Sequence, residues 1–242
     1  MNKIELYNWE NSTTPNILHF QGKAKNHYSY LFDLMSKNKI KNDERINIVT
    51  CVSDESQSKL IKQLKENNIP FVNCYKCGFY HVWQNPMKIK FIYDFLLSAD
   101  ENKTYLILDG YDTAIQTLDG LFDKLVSSKK DVLFNSTKHN WPDVFVDQLP
   151  ERDFRGEFRC FNAGCVIGYG KLLKKFYKNC FEELNETKYN PWESEQYIVR
   201  KVWSNYAQDE YRYIDFDWEC NIFQTFGSTK LEKLDENKYI VL

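Results

Sequence analysis

Between residues 46 and 135, β-branched apolar runs alternate with amphipathic stretches, and this alternation constrains the fold more than any other feature. "INIVTCV" (46–52) reads as a buried strand. "SDESQSKLIKQLKENN" follows, with Leu60, Ile61 and Leu64 at helical spacing and Ser53 or Asp54 available as a cap. "IPFVNCY" is the next strand, and "PMKIKFIYDFLLSAD" is an amphipathic helix with a proline near its start. "TYLILDG" is a third strand, "LDGLFDKLVSS" a helix and "DVLFN" a fourth strand. Strands that alternate with helices predict an α/β fold with a parallel sheet.

Beyond Trp141 the pattern loosens. "FNAGCVIGYG" reads as a strand with glycines, "KLLKKFYKNCFEELNE" and "WESEQYIVRKVWSNY" as helices, and "YRYIDFDWECNIFQTF" as mixed and aromatic. No repeat or low-complexity linker divides the 242 residues, which predicts one domain with a nucleotide-type half (46–135) and a more irregular half (136–242). The formal net charge of −2 and the lack of a dense basic block argue against a nucleic-acid partner. No apolar run is long enough to span a bilayer, and "MNKIELYNWENSTTPN" lacks a signal-peptide core, so the expectation is a cytoplasmic chain with no membrane partner. Cys74 and Cys77 form the sole C-x-x-C among seven cysteines; zinc needs a second pair, so reduced structural thiols are expected.

"LILDGYDTAI" (106–115) sets Asp109 and Asp112 just past an apolar strand. Open α/β sheets bind ligands beyond the carboxyl ends of their strands, and two carboxylates there can converge on a hard divalent cation. Tyr111 between them offers a ring to stack on a base. Asp-Gly is also a common turn dipeptide, and the four residues alone read more readily as a plain turn.

The ordered set "LILDGYD", "DVLFNSTKHNWPD", "RCFNAGCVIGYG", "WESEQYIVRKVW" and "DFDWECNIFQTF" resembles the glycosyltransferase domain of the procollagen lysyl hydroxylase/glucosyltransferase family. The likeness runs over roughly residues 46–242 and rests on the order of the motifs, not on any one of them. It implies a GT-A fold, with a Rossmann-type mixed sheet flanked by helices. It also implies that Asp109 and Asp112 bind Mn²⁺ and the diphosphate of a UDP-sugar, that Tyr111 meets the uracil, and that Thr50 and Ser53 line the nucleoside site.

In that family a third metal ligand, a histidine, comes late, within a pattern like T-x-P-x-x-x-H-x-x-G-x-x-K. The C-terminal "LEKLDENKYIVL" holds no histidine, whereas "TTPNILHFQGKAK" near the N-terminus fits the pattern with Thr13, Pro15, His19, Gly22 and Lys25. The chain therefore resembles a circular permutant: residues 1–31 carry the family's C-terminal segment and 32–45 form a new connection. A tandem array cut out of phase reads the same way. Both readings require residues 1–25 to pack beside the Asp109 loop. The resemblance implies His19 as third metal ligand, with Gly22 and Lys25 at the diphosphate. Taken alone, a histidine at a strand end is usually a capped or surface residue.

"FNAG" matches the strand that lines the donor sugar, giving Asn162, Ala163 and Gly164, although it also reads as a plain buried strand. "ESEQ" gives Glu195, where the family carries aspartate, and Gln196; a solvated helix start is the other reading of the acidic pair. Asp217 matches a family aspartate, so Glu195 and Asp217 are the catalytic candidates. Trp141 is either an acceptor platform or a core residue. The implied reaction moves a hexose, glucose by resemblance, from a UDP-sugar to galactosyl-hydroxylysine of a collagen-like protein. Two other classes compete. A haloacid-dehalogenase-type phosphohydrolase has D-x-D-x-T after its strand, but here the aspartates are three apart instead of two. A non-catalytic module that binds sugar nucleotide or collagen would be favoured by loss of a metal ligand.

Overall fold

The computed structural model describes residues 5–76, 85–139, 158, 160–186, 194–206, 213–227, 231–235 and 238–241. Strands β1 (Glu5–Asn8) and β2 (Ile17–His19) come first, then helices α1 (Ala24–His27) and α2 (Ser29–Met35). The alternating region gives β3 (Ile46–Thr50), α3 (Lys59–Glu66), β4 (Phe71–Asn73), α4 (Met87–Ser98), β5 (Thr104–Leu108), β6 (Thr113–Ile115), α5 (Leu121–Ser127) and β7 (Val132–Thr137). The second half adds β8 (Cys160–Tyr169), α6 (Gly170–Glu186), α7 (Glu195–Tyr206), β9 (Ile214–Phe216), β10 (Phe223–Thr225), β11 (Leu231–Asp235) and β12 (Lys238–Val241). The expected connection at 32–45 begins inside α2, which runs across the boundary at residue 31 and buries Leu31, Phe32 and Met35.

The main sheet has six strands in the order β4-β3-β5-β8-β7-β9. It is mixed, as the family resemblance implies, where the strand–helix alternation alone predicts a parallel sheet. β4, β3 and β5 are parallel, as are β7 and β9, but β8 runs antiparallel to both neighbours. Helices cover both faces. The strand period of two sends Tyr105 and Ile107 of β5 into one core with α4, α6 and α7, where Ile92, Phe176 and Trp203 also lie. Leu106 and Leu108 enter the opposite core with Leu60 and Leu64 of α3 and Leu121 and Leu125 of α5. Burial on both faces explains why these strands read as continuous apolar runs. No helix among the described residues is long and apolar enough to cross a membrane.

A second sheet, β10-β2-β6, carries the N-terminal segment. β2 pairs parallel with β10 and antiparallel with β6, which sets His19 opposite Thr113 and Thr225. A third core around Leu18, Phe20, Phe32 and Phe226 packs this segment down, and the Phe20 and Phe226 rings stack at 4.5 Å. In the third sheet, β1 pairs parallel with β12.

Buried amides sew the segment to β6. Gln116 accepts the Leu6 N–H at 2.6 Å and donates to the Leu6 and Pro15 carbonyls at 3.2 and 2.7 Å. Replacing Gln116 with Leu leaves three main-chain groups without partners, at a cost of about 3 kcal/mol. Urea unfolding of Gln116→Leu is expected to show that loss; an unchanged midpoint would mean that side-chain packing alone holds the segment.

Candidate active site

Asp109 immediately follows β5, and its N–H donates to the Gly164 carbonyl at 2.9 Å. The chain then turns across the end of β3 at Gly110. A Cβ on Gly110 would lie 1.9 Å from Val52 Cγ2 and 2.8 Å from Thr50 Oγ1, so only glycine lets the backbone pass. Main-chain bonds clamp the histidine strand to this turn: the Phe20 N–H donates to the Asp112 carbonyl at 2.7 Å, and the Phe226 N–H to the His19 carbonyl at 2.8 Å. Residues 16–20 thus lie beside the Asp109 loop.

His19 Nε2 faces Asp109 Oδ2 at 3.5 Å and Asp112 Oδ1 at 3.4 Å. One ligand atom from each residue lies within 4.8 Å of the others. His19 is buried, and its Nε2 has no hydrogen-bond partner. One imidazole and two carboxylates suit a divalent metal ion, and a buried lone pair aimed between two carboxylates fits that role. Burial opposes a charge on the ring, yet Asp112 in front of it, with Cys165 and Asp109, raises the His19 pKa well above its ordinary value. The pocket at Nε2 therefore favours positive charge.

Lys88, in the first turn of α4, is buried and ion-paired to Asp109 Oδ1; its Nζ lies 3.8 Å from Glu195 Oε1. Burial alone would lower its pKa, but the Asp109 and Glu195 carboxylates raise it. The effect is reciprocal. Against the cost of burial, Lys88 and His19 bring Asp109 down to about 2. Glu195 goes the other way: burial raises its pKa despite Lys88. Two neighbouring carboxylates thus have opposite proton preferences.

The cleft in front of these groups has a volume of about 750 Å³, within the range of small-molecule sites. His19, Asp109, Asp112, Asn162, Gly164, Glu195, Gln196 and Gly22 all line it. Asn162 donates to Gln21 Oε1 at 2.7 Å and accepts the Gly164 N–H at 2.9 Å, while Gln196 Oε1 accepts the Ala163 N–H at 3.4 Å. A bulge shapes this wall. The β7–β8 register jumps from Phe134–Val166 to Asn135–Asn162, which frees Ala163–Cys165 from β7 and presents Gly164 to the cluster. A Cβ on Gly164 would lie 2.3 Å from His19 Cε1 and 2.8 Å from Asp109 Oδ2.

Four expected site residues sit differently. Ala163 contributes its N–H, but its side chain is buried in the core with Phe161. Lys25 is exposed on α1, and Lys23 lines the cleft instead, because the turn at Gly22 (φ +57°) sends the chain into a short helix. The Thr50 hydroxyl is spent on the Leu108 carbonyl at 2.9 Å and braces the two strand ends. Asp217 belongs to a separate cavity of about 350 Å³, beside Lys124 and Trp218. Its carboxylate accepts the N–H groups of Asn221, Ile222 and Phe223 at 3.0, 2.7 and 2.8 Å. Burial pushes its pKa up to about 6 against those donors. The carboxylate caps this loop and is not among the groups that line the cleft.

Ser53 and Tyr111 form the edge at the end of β3: the Tyr111 hydroxyl lies 3.0 Å from Ser53 Oγ and accepts the Asp54 N–H at 2.9 Å. Trp141 lies outside the described residues. Sequence reasoning missed Lys88. Its signal was its place on the apolar stripe of α4 with Ile92 and Leu96, where a lysine requires a buried partner.

The mixed sheet thus sets two aspartates past a central strand at the wall of the cleft. The family model described as "PLOD GT domain" matches residues 83–239, and the chain belongs to that family. The matched stretch contains Asp109, Asp112, Asn162, Glu195 and Gln196, while His19 lies outside it. A glycosyltransferase is thus implied to take a sugar-nucleotide donor and an acceptor, and the phosphohydrolase reading is set aside. Among solved structures, the chain is similar to a glycosyltransferase involved in glycosylation of the major capsid of PBCV-1, at 12% identity and a TM-score of 0.36, covering 75% of this chain and 80% of that one. It is also similar to the 4-diphosphocytidyl-2C-methyl-D-erythritol synthase of Anaerococcus prevotii DSM 20548, at 14% identity and a TM-score of 0.36, covering 78% and 88% respectively. No match to a curated protein is found.

Gly164→Ala drives a methyl group into a histidine that β6 and β10 prevent from withdrawing. Divalent-metal affinity, measured by calorimetry, is expected to fall at least about tenfold. Asp217→Ala serves as the contrast: it leaves three N–H groups unpaired, at a cost of about 3 kcal/mol in urea unfolding, with metal affinity unchanged. Loss of metal binding in Asp217→Ala would return that residue to the site.

Proposed function

We propose that the chain is a divalent-metal-dependent hexosyltransferase. Its donor is a UDP-sugar, UDP-glucose by resemblance, and its acceptor is galactosyl-hydroxylysine in a collagen-like protein. The observation that carries this reading is the convergence of His19, Asp109 and Asp112 at the wall of the cleft. Mn²⁺ held by these three residues supplies a Lewis acid for the charge that develops on the leaving diphosphate. Around it, Lys88 keeps Asp109 ionised and turned toward the cluster. Gly22, with no heavy atom within 4 Å of where a Cβ would stand, leaves its backbone open to phosphate oxygens. Tyr111 and Ser53 take the nucleoside side, and Asn162 and Gln196 the sugar hydroxyls. Glu195 lines the cleft on the acceptor side, where its ionised form would receive the acceptor's hydroxyl proton.

The chain order is read as a rearrangement of the family domain, with residues 1–31 in the role of its C-terminal segment. Two pairings favour this: β2 lies between β6 and β10, and β1 lies beside β12, so the first and last strands are neighbours. Domains whose ends adjoin tolerate such reordering. The non-catalytic reading loses its main support, since a third ligand-type side chain stands beside the two aspartates.

The test is UDP release from UDP-glucose and UDP-galactose with Mn²⁺, with and without a galactosyl-hydroxylysine peptide, for wild type and His19→Ala. Acceptor-stimulated release that falls by roughly 100-fold or more in His19→Ala is expected. Full activity in His19→Ala would remove the histidine from the site. Tight Mn²⁺–UDP binding without turnover of either donor would refute the assigned transfer.

A further inference from the structure

Asn135 stands directly behind His19. It is buried at the register jump of β7, and its Nδ2 donates to His19 Nδ1 at 3.1 Å and toward Asn162 Oδ1 at 3.4 Å. Its Oδ1 accepts the Ser136 N–H at 2.8 Å and the Thr225 hydroxyl at 2.7 Å. A main-chain N–H can only donate, so the oxygen end of this amide is fixed and its NH₂ is what His19 Nδ1 meets.

That polarity matters for a ring whose other nitrogen faces Asp109 and Asp112. An imidazole that gives Nε2 to a metal keeps a proton on Nδ1 and is usually backed there by a carboxylate or carbonyl oxygen. With Nε2 on a metal, the Nδ1–H and the Asn135 NH₂ would confront each other as two donors. Relief requires the Asn135 amide to turn over, which sets its NH₂ against the Ser136 N–H in a buried place. Replacing the NH₂ by an acceptor removes the conflict and leaves the three metal-facing groups untouched.

We propose that Asn135 is a positioning residue that holds the metal affinity of the His19–Asp109–Asp112 cluster below what those three groups would otherwise give. The inference rests on the metal reading of that cluster. Its consequence is a site in which the ion stays exchangeable, because the hydrogen bond behind the histidine favours the ring with a bare Nδ1 and its proton on Nε2, the atom the ion needs.

The experiment titrates Mn²⁺ into the full chain at pH 8, following the EPR signal of the free ion, without nucleotide and again with UDP at one fixed concentration. Asn135→Asp accepts from Ser136, Thr225 and His19 Nδ1 together and is expected to tighten Mn²⁺ by about 10- to 100-fold. Asn135→Ser carries a hydroxyl that donates or accepts as needed and adds no charge; it is expected to tighten binding less, and it serves if the aspartate variant fails to fold. Gln21→Glu adds the same charge on the cleft wall but not behind the ring, and is expected to change affinity far less. The proposal is overturned if neither folded Asn135 variant binds more tightly than wild type, or if Gln21→Glu tightens as much as Asn135→Asp. Wild-type binding that His19→Ala abolishes but the Asn135 variants leave unchanged overturns this inference alone. Absence of Mn²⁺ binding by wild type overturns the metal reading with it.

Discussion

The three residues of β2 hold the candidate site together. Their backbone is hydrogen-bonded on both sides, to β6 and to β10, and all three side chains are buried. The strand cannot slide by one position: a slip would turn His19 to the opposite face and carry Leu18 out of its core. Stacking of Phe20 on Phe226 and the bonds of Gln116 reinforce that register from either end. Hence a histidine far from the aspartates in sequence stands within 3.5 Å of both. The geometry of the cluster is a property of strand pairing more than of the loop that carries the carboxylates.

Charge within the cleft follows from that placement. Asp109, Asp112 and Glu195 gather on one wall, and like charges this close disfavour full ionisation. Lys88 divides them. It pairs with Asp109, which stays ionised, and stands further from Glu195, whose pKa burial raises despite that lysine. Asp109 thus has one oxygen against a permanent cation and the other toward His19. A carboxylate fixed at both oxygens is a better aligned ligand than one free to rotate.

Much of the α/β frame was legible, because strands buried on both faces and helices with one apolar stripe leave plain patterns, as at Ile46–Thr50 and Lys59–Glu66. The direction of β8 was not legible from its own residues, and only the family resemblance implied a mixed sheet. "CFNAGCVIGY" is buried almost throughout, and such a run looks the same whichever way it pairs. The aspartates past β5 were visible as a pair, but their difference from a plain turn came only from the motif order around them. His19 was visible only through the Thr, Pro, Gly and Lys that surround it in the motif. Asp217 misled because a carboxylate that caps backbone N–H groups is indistinguishable in sequence from one that faces substrate. Lys88 and Asn135 stayed hidden because their roles depend on partners distant in the sequence.

Two glycines show how little freedom the site has. Gly110 lets the aspartate loop cross β3 in contact with Val52, and Gly164 lets the bulge of β8 close beneath His19. One lies on each side of Asp109, and neither position has room for a methyl group. The matched family stretch begins after the first of the two strands that brace this loop, so Asp109 and Gly164 fall within it while Thr50, Val52 and His19 do not. The cluster is therefore assembled across that boundary, with the two carboxylates inside it and the imidazole and the floor under Gly110 outside. Interlocking at this contact distance leaves the two portions little scope to vary independently, since a shift of less than an ångström in either closes the gap that the other needs.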